Sequence, residues 1–198
     1  MGLHERVAAA AEGVLPEWSR VGKSRRAHIE RVAGLMAAWA EQRGSSPGDR
    51  ARWVAAAYLH DALREAPEEM LRPLLPAAFQ DLPASALHGP AAAERLRTEG
   101  VADEPLLLAV AYHTLGHPDF DALGMALYAA DFLEPGRPYL PSFREELRAR
   151  MPLELEEVTA EVLASRIRRL VERRVPLRPE TVGFWNALAA RPSRVGAR

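Results

Sequence analysis

The chain has 198 residues, 48% of them apolar and 27% charged, which suits a globular domain with a sizeable core. Its 27 acids and 26 bases leave a formal net charge of −1, so no bulk positive field points to nucleic acid or to an anionic membrane. The absence of cysteine excludes disulfides, cysteine-ligated zinc or iron–sulfur sites and thiol nucleophiles, and no apolar run approaches the roughly 18–20 residues of a membrane span.

The N-terminal stretch MGLHERVAAAAEGVLPEW carries acids among its apolar residues and lacks the basic start and cleavage pattern of a secretory signal, so the cytoplasm is the expected compartment. Apolar residues recur at three- and four-residue spacing, and alternating runs rich in Val, Ile and Thr are absent. The chain therefore reads as all-α. The spacing predicts helices over roughly 3–14, 22–42, 49–64, 67–72, 86–99, 103–115, 119–133, 141–149, 153–174 and 179–190. Turn signals part them at Gly44 to Gly48, Pro73, Pro76, Pro83, Gly100, Gly116 to Pro118 and Pro135 to Pro138. Asp49 and Asp103 are the expected N-caps of their helices. No repeat, low-complexity tract or long linker divides the chain, which predicts one helical domain over 1–198. Its core runs from about 20 to 185, and the tail 191–198 is expected to fray.

Taken along these helices, the titratable groups fall in a pattern. His4 sits in the first helix without special context and reads as surface. His28 lies inside the long second helix, His60-Asp61 ends the apolar run Trp53 to Leu59, and Asp131 closes the run Ala126 to Ala130. A histidine on an apolar helix is ordinarily a hydrogen-bonded core residue, and an aspartate near a helix end is ordinarily a cap or an ion-pair partner. Four such groups from three helices are different. Charges in apolar surroundings are costly unless they are paired or ligate a metal. Two imidazoles with two carboxylates suit Fe, Mn, Zn or Mg, and helical bundles build metal sites from side chains of facing helices. His88, opening a helix at Leu87-His88-Gly89-Pro90, and His113, in Tyr112-His113-Thr114-Leu115-Gly116, are candidates for a second ion or for hydrogen bonds to phosphate.

The order His28, His60-Asp61, Asp131 resembles the signature of the HD-domain metal-dependent phosphohydrolases. The blocks His60 to Arg64, Leu87 to Pro90, Tyr112 to Gly116 and Ala130-Asp131-Phe132-Leu133-Glu134-Pro135-Gly136-Arg137 narrow the resemblance to the YqeK family, the bacterial symmetrical diadenosine-tetraphosphate hydrolases. The segment Val175 to Thr181 is similar to that family's C-terminal stretch, and the likeness spans about residues 20–185. The resemblance implies an HD-type helical bundle in which His28, His60, Asp61 and Asp131 hold a metal, iron in the family, with Mn, Zn and Mg open on donor chemistry. His88 and His113 would bind phosphate or complete a two-ion site. Arg25, Arg64, Thr114 and Arg137 would contact phosphates, and Arg174, Val175, Pro176, Leu177, Arg178 and Pro179 would border the nucleoside. The catalytic group would be Asp61, Arg64, His88 and His113. His117 stands where the family often has Arg or Lys, so no role is assigned to it.

The implied reaction is metal-dependent hydrolysis of diadenosine tetraphosphate and related dinucleoside polyphosphates to two ADP, in a protein that binds no membrane and that is a candidate homodimer. An HD-type nucleotidase or deoxynucleotide phosphohydrolase would share the metal ligands. A metal- and nucleotide-binding sensor would show a broken ligand set, and none is broken here. An RNA-associated role would need a basic face. The arginines from Arg166 to Arg174 share their helix with Glu154, Glu156, Glu157 and Glu161, which reads as a solvated face.

Overall fold

Residues 2–191 are described by a computed structural model, and the terminal segment 192–198, most of the tail expected to fray, lies outside the described residues. Ten α-helices appear among the described residues: α1 Glu5–Ala11, α2 Lys23–Gln42, α3 Pro47–Leu59, α4 Glu68–Leu71, α5 His88–Thr98, α6 Glu104–Tyr112, α7 Ala122–Leu133, α8 Pro141–Arg150, α9 Leu155–Glu172 and α10 Pro179–Ala189. Three short 3-10 turns link α4 to α5. The all-α expectation holds, and every predicted helix has a counterpart.

Local chemistry trims the predicted ends. Asp103 caps α6 by accepting the Leu106 N–H at 3.2 Å, as expected. The cap of α3 is instead Ser46, whose hydroxyl oxygen accepts the Asp49 N–H at 3.1 Å, so Asp49 falls in the first turn behind Pro47. His4 is the N-cap of α1 rather than part of the helix, and it is half-buried, with Nδ1 accepting the Arg6 N–H. Asp121 accepts the Gly124 N–H at 3.0 Å and starts α7 three residues later than the predicted 119. Gly116, at φ +80, turns the chain after α6, and a Cβ there would collide with the Phe184 ring.

The hydrophobic core is continuous from Val7 in α1 to Leu188 in α10. Its axis is α7, where Leu123 through Ala130 are all buried. A helix apolar all round must be surrounded, and α7 packs against α2, α3, α6, α8 and α9. Alanines do much of this packing. Ala55, Ala56 and Ala57 on α3 and Ala91, Ala92 and Ala93 on α5 are buried and let the helices approach closely. No helix among the described residues is long and apolar enough to cross a membrane.

Arg52 on α3 is tied to the α6 cap by two bonds, Nε to Asp103 Oδ2 at 2.6 Å and Nη2 to Oδ1 at 2.8 Å. Burial opposes ionisation of Asp103, but the Arg52 guanidinium and the Leu106 N–H outweigh it and hold the carboxyl below its usual range. Asp103→Asn keeps a capping oxygen and loses the charge, and is expected to destabilise the protein by about 1 kcal/mol at neutral pH. A carboxyl that titrates lower when folded gives stability that is full above its unfolded value, near pH 4, and is lost as pH falls through the folded value. Urea melts of both proteins are therefore expected to converge on acidification.

Candidate metal centre

Most of the centre is assembled at helix ends. His28 projects from within α2 and Asp131 from the last turn of α7. The helix α3 stops at Leu59, His60 caps it, and Asp61 follows in a tight turn closed by the Arg64 N–H on the Asp61 carbonyl at 2.9 Å. His88 opens α5 and His113 caps the C-terminus of α6. Gly89 makes that last pairing feasible, because a Cβ there would lie 2.7 Å from the Val110 carbonyl oxygen and 2.8 Å from that of Ala111.

Three imidazoles are fixed by their Nδ1 atoms. His60 Nδ1 donates to the Ala57 carbonyl at 2.6 Å, His113 Nδ1 to the Val110 carbonyl at 2.8 Å and His28 Nδ1 to Glu134 Oε1 at 3.2 Å. A neutral ring with its proton on Nδ1 presents a lone pair at Nε2. Those Nε2 atoms converge on carboxylates. His28 Nε2 is 3.2 Å from Asp131 Oδ1 and 3.6 Å from Asp61 Oδ2, and His60 Nε2 is 3.4 Å from Asp61 Oδ2. On the other side, Asp61 Oδ1 faces His88 Nε2 at 3.1 Å and His113 Nε2 at 3.6 Å, and the two Nε2 atoms are 3.0 Å apart. His28 Nε2 and His60 Nε2 are buried and find no hydrogen-bond partner among the described residues.

Lone pairs aimed at carboxylates in a buried site repel unless positive charge stands between them. The titration directions report the same demand. Burial lowers the His60 pKa, yet the charges of Asp61 and Asp131 raise it overall. Burial also opposes ionisation of Asp61 and Asp131, but the surrounding imidazoles and guanidiniums hold both well below the usual carboxylate range. His88, chiefly through burial, is pushed down to about 4 and is a neutral ring. Donor chemistry and geometry fit a divalent cation in two overlapping groups, His28, His60 and Asp131 in one, His60, Asp61 and His113 in the other.

The centre opens into a polar pocket of about 150 Å³ walled by Arg25, Asp61, Arg64, Ser85, His88, His113, Thr114, Asp131, Arg137 and Arg166. Arg25 donates to Asp61 Oδ2 at 2.8 Å, Arg137 to Asp131 Oδ1 at 2.7 Å and Arg166 to Asp131 Oδ2 at 2.9 Å. Ser85, Thr114, Asp131, Arg137 and Arg166 also wall a second cavity of about 600 Å³, so the two adjoin across a shared wall. Tyr128, Phe132 and Tyr139 give it an aromatic lining, and Val175, Pro176 and Arg178 line it as well.

The sequence-predicted set is thus largely brought together, with exceptions. Arg174, Leu177 and Pro179 do not line the cavity, whereas Arg173 does. Arg174 adopts a left-handed backbone, φ 54, where α9 ends. His117 lines neither pocket, since its Nδ1 accepts the Asp119 N–H and its ring packs on Tyr112. Two residues escaped the sequence reading. Arg166, read as part of a solvated face, stacks on Tyr128 and binds Asp131. Glu134 holds the His28 ring and is itself held by Arg31 and the Gly136 N–H. The signal for Glu134 was present in the block that runs from Asp131 to Arg137.

A profile of the HD domain matches residues 25–136, which include all six of these histidine and aspartate residues. The chain belongs to the HD-domain family. Over 143 residues it is 29% identical to a Bacillus subtilis protein named symmetrical bis(5'-nucleosyl)-tetraphosphatase, covering 68% of this chain and 75% of that one. A Halalkalibacterium halodurans protein of the same name is 32% identical over 103 residues, 52% of this chain and 54% of that one. The match thus spans about half the length of the second relative. The fold matches a Clostridium acetobutylicum crystal structure described as a predicted HD superfamily hydrolase involved in NAD metabolism, with TM-score 0.75 and 21% identity over 96% of this chain and all of that one.

Gly89→Ala tests how closely α5 must meet α6. The added methyl strikes two carbonyl oxygens, so the variant is expected to lose about 1–3 kcal/mol, measured by thermal or urea unfolding. A crystal structure is expected to show His88 displaced from His113. Unchanged stability with both rings in place would contradict this role.

Proposed function

We propose that this HD-domain protein is a phosphoanhydride hydrolase that cleaves diadenosine tetraphosphate and related dinucleoside polyphosphates symmetrically, giving two ADP from the adenosine compound. The observation that carries the proposal is that the pocket at the cation-binding cluster adjoins the large cavity and shares a wall with it. One end is polar and suited to a phosphate chain, and the other is partly aromatic and large enough for a nucleoside. The names of the two bacterial relatives support the same chemistry.

His28, His60, Asp61 and Asp131 would hold one divalent ion, and Asp61 shared with His88 and His113 a second, iron being what the YqeK resemblance implies. Bound there, divalent cations supply Lewis acidity toward phosphoryl oxygens and acidify water. The protein's own groups do the rest. Asp61 turns one carboxylate oxygen toward each side of the cluster and so fixes both sides relative to each other. Arg64 and Arg137 sit on the pocket wall, where guanidinium forks match phosphate oxygens, and Arg25 and Arg166 flank them. His88 and His113 place their Nε2 atoms beside the same space. Water adds its oxygen to one of the two central phosphorus atoms, and the bridging P–O bond breaks with its electron pair on the departing ADP. The guanidiniums meet the charge that develops there.

The test is a product panel on purified protein of known metal content, comparing diadenosine tetraphosphate, its guanosine counterpart, ATP, dATP and AMP. ADP as the only product of diadenosine tetraphosphate, lost on chelation, is the expected result. AMP plus ATP would refute symmetrical cleavage, and turnover of mononucleotides alone would assign the protein to the nucleotidases. Asp61→Ala is expected to abolish turnover while remaining folded by circular dichroism, whereas Arg64→Ala and Arg137→Ala are expected to weaken both binding and rate.

A further inference from the structure

Arg144 on α8 is an anomaly of charge. It is only 4% exposed, yet its Nε and Nη1 have no hydrogen-bond acceptor among the described residues. The acids nearest to it are taken. Asp131 receives Arg137 and Arg166, and Glu134 receives Arg31. Burial first, and then the charges of Arg137 and Arg166, push its pKa down to about 10, which still leaves a cation at neutral pH. A buried cation without a counter-ion is strongly unfavourable, and it persists in a fold when something outside the chain supplies the charge.

Its surroundings indicate what that something is. The guanidinium carbon lies over the Phe132 ring, 4.1 Å from its centroid, a cation–π contact that helps hold the side chain in place. It forms part of the wall of the large cavity beside Arg137 and Arg166. The helix α9 and its C-cap add Arg169 and Arg173 to the same wall, three and seven residues beyond Arg166 and so on one side. Cations therefore outnumber acids along this surface.

We infer that Arg144 is a phosphate-binding and specificity-determining residue of the large cavity, which takes a phosphate of the bound nucleotide that the histidine–aspartate cluster does not hold. The inference rests on the nucleotide reading of the site given above. It makes the cavity selective for a nucleoside carrying at least two phosphates in line, one at the cluster and one at Arg144. A guanidinium suits this task because it keeps its charge and spreads several N–H donors over one plane.

The test uses the full chain, with ADP and adenosine as probes in calorimetry and thermal melts run without nucleotide. Arg144→Met preserves much of the volume and removes the unpaired charge. Its melting midpoint is expected to equal or exceed that of the wild type, its ADP affinity to fall about tenfold or more, and its adenosine affinity to stay unchanged. Arg144→Lys, which keeps the charge without the fork, is expected to lose part of the ADP affinity, and it carries the test should the methionine variant fail to fold. Unchanged ADP affinity, or equal losses for ADP and adenosine, would overturn the inference. A wild-type protein that binds ADP through Arg144 but leaves dinucleoside polyphosphates intact would refute the hydrolase reading and leave this one standing.

Discussion

Three imidazoles whose Nδ1 protons are committed elsewhere turn their Nε2 lone pairs onto two carboxylates, buried Asp61 and partly exposed Asp131, and that arrangement is stable only with positive charge between them. His28, His60 and His113 are each held by a separate acceptor, two of them backbone carbonyls of the preceding helical turn. The rings therefore cannot turn to offer a proton to Asp61 or Asp131 without breaking a buried hydrogen bond. The guanidiniums of Arg25, Arg137 and Arg166 answer part of the demand from the pocket side. They are also the groups that a phosphate chain entering the pocket would meet.

The fold serves this constraint through where its helices stop. A side chain in mid-helix is held at a fixed distance from its neighbours, whereas one at a helix end can point along the axis. His60 and His113 cap C-termini and His88 opens an N-terminus, so α3, α5 and α6 direct their ends at one place. Small residues bring those ends together, Gly89 most directly. The buried α7 then carries Asp131 to the cluster and Phe132 and Tyr128 to the cavity wall, one helix supplying both halves of the site.

Much of this was readable in the sequence because it is local. Helical periodicity marked every helix, and the His60-Asp61, His88-Gly89-Pro90 and Tyr112-His113-Thr114 blocks put the ligands at helix ends. What escaped depends on distance or on single-residue geometry. Arg166 is 35 residues from Asp131, and acids on its helix suggested solvent, but Glu154 and Glu161 bind Arg150 instead. Arg173 rather than Arg174 lines the cavity because the chain turns left-handed at Arg174, and two adjacent arginines look alike in sequence. Ser46 and Asp49 are both good caps, and only the position of Pro47 decides between them.

The most direct test of the central claim is metal uptake by native protein stripped with a chelator, followed by elemental analysis and by the thermal unfolding midpoint as divalent ion is added back. A ligand that binds only the folded state raises that midpoint. Uptake of one or two ions per chain with a rise in the midpoint is the expected result, both lost when Asp61 is replaced by alanine. A protein that takes up no divalent ion, with the same midpoint before and after chelation, would contradict it.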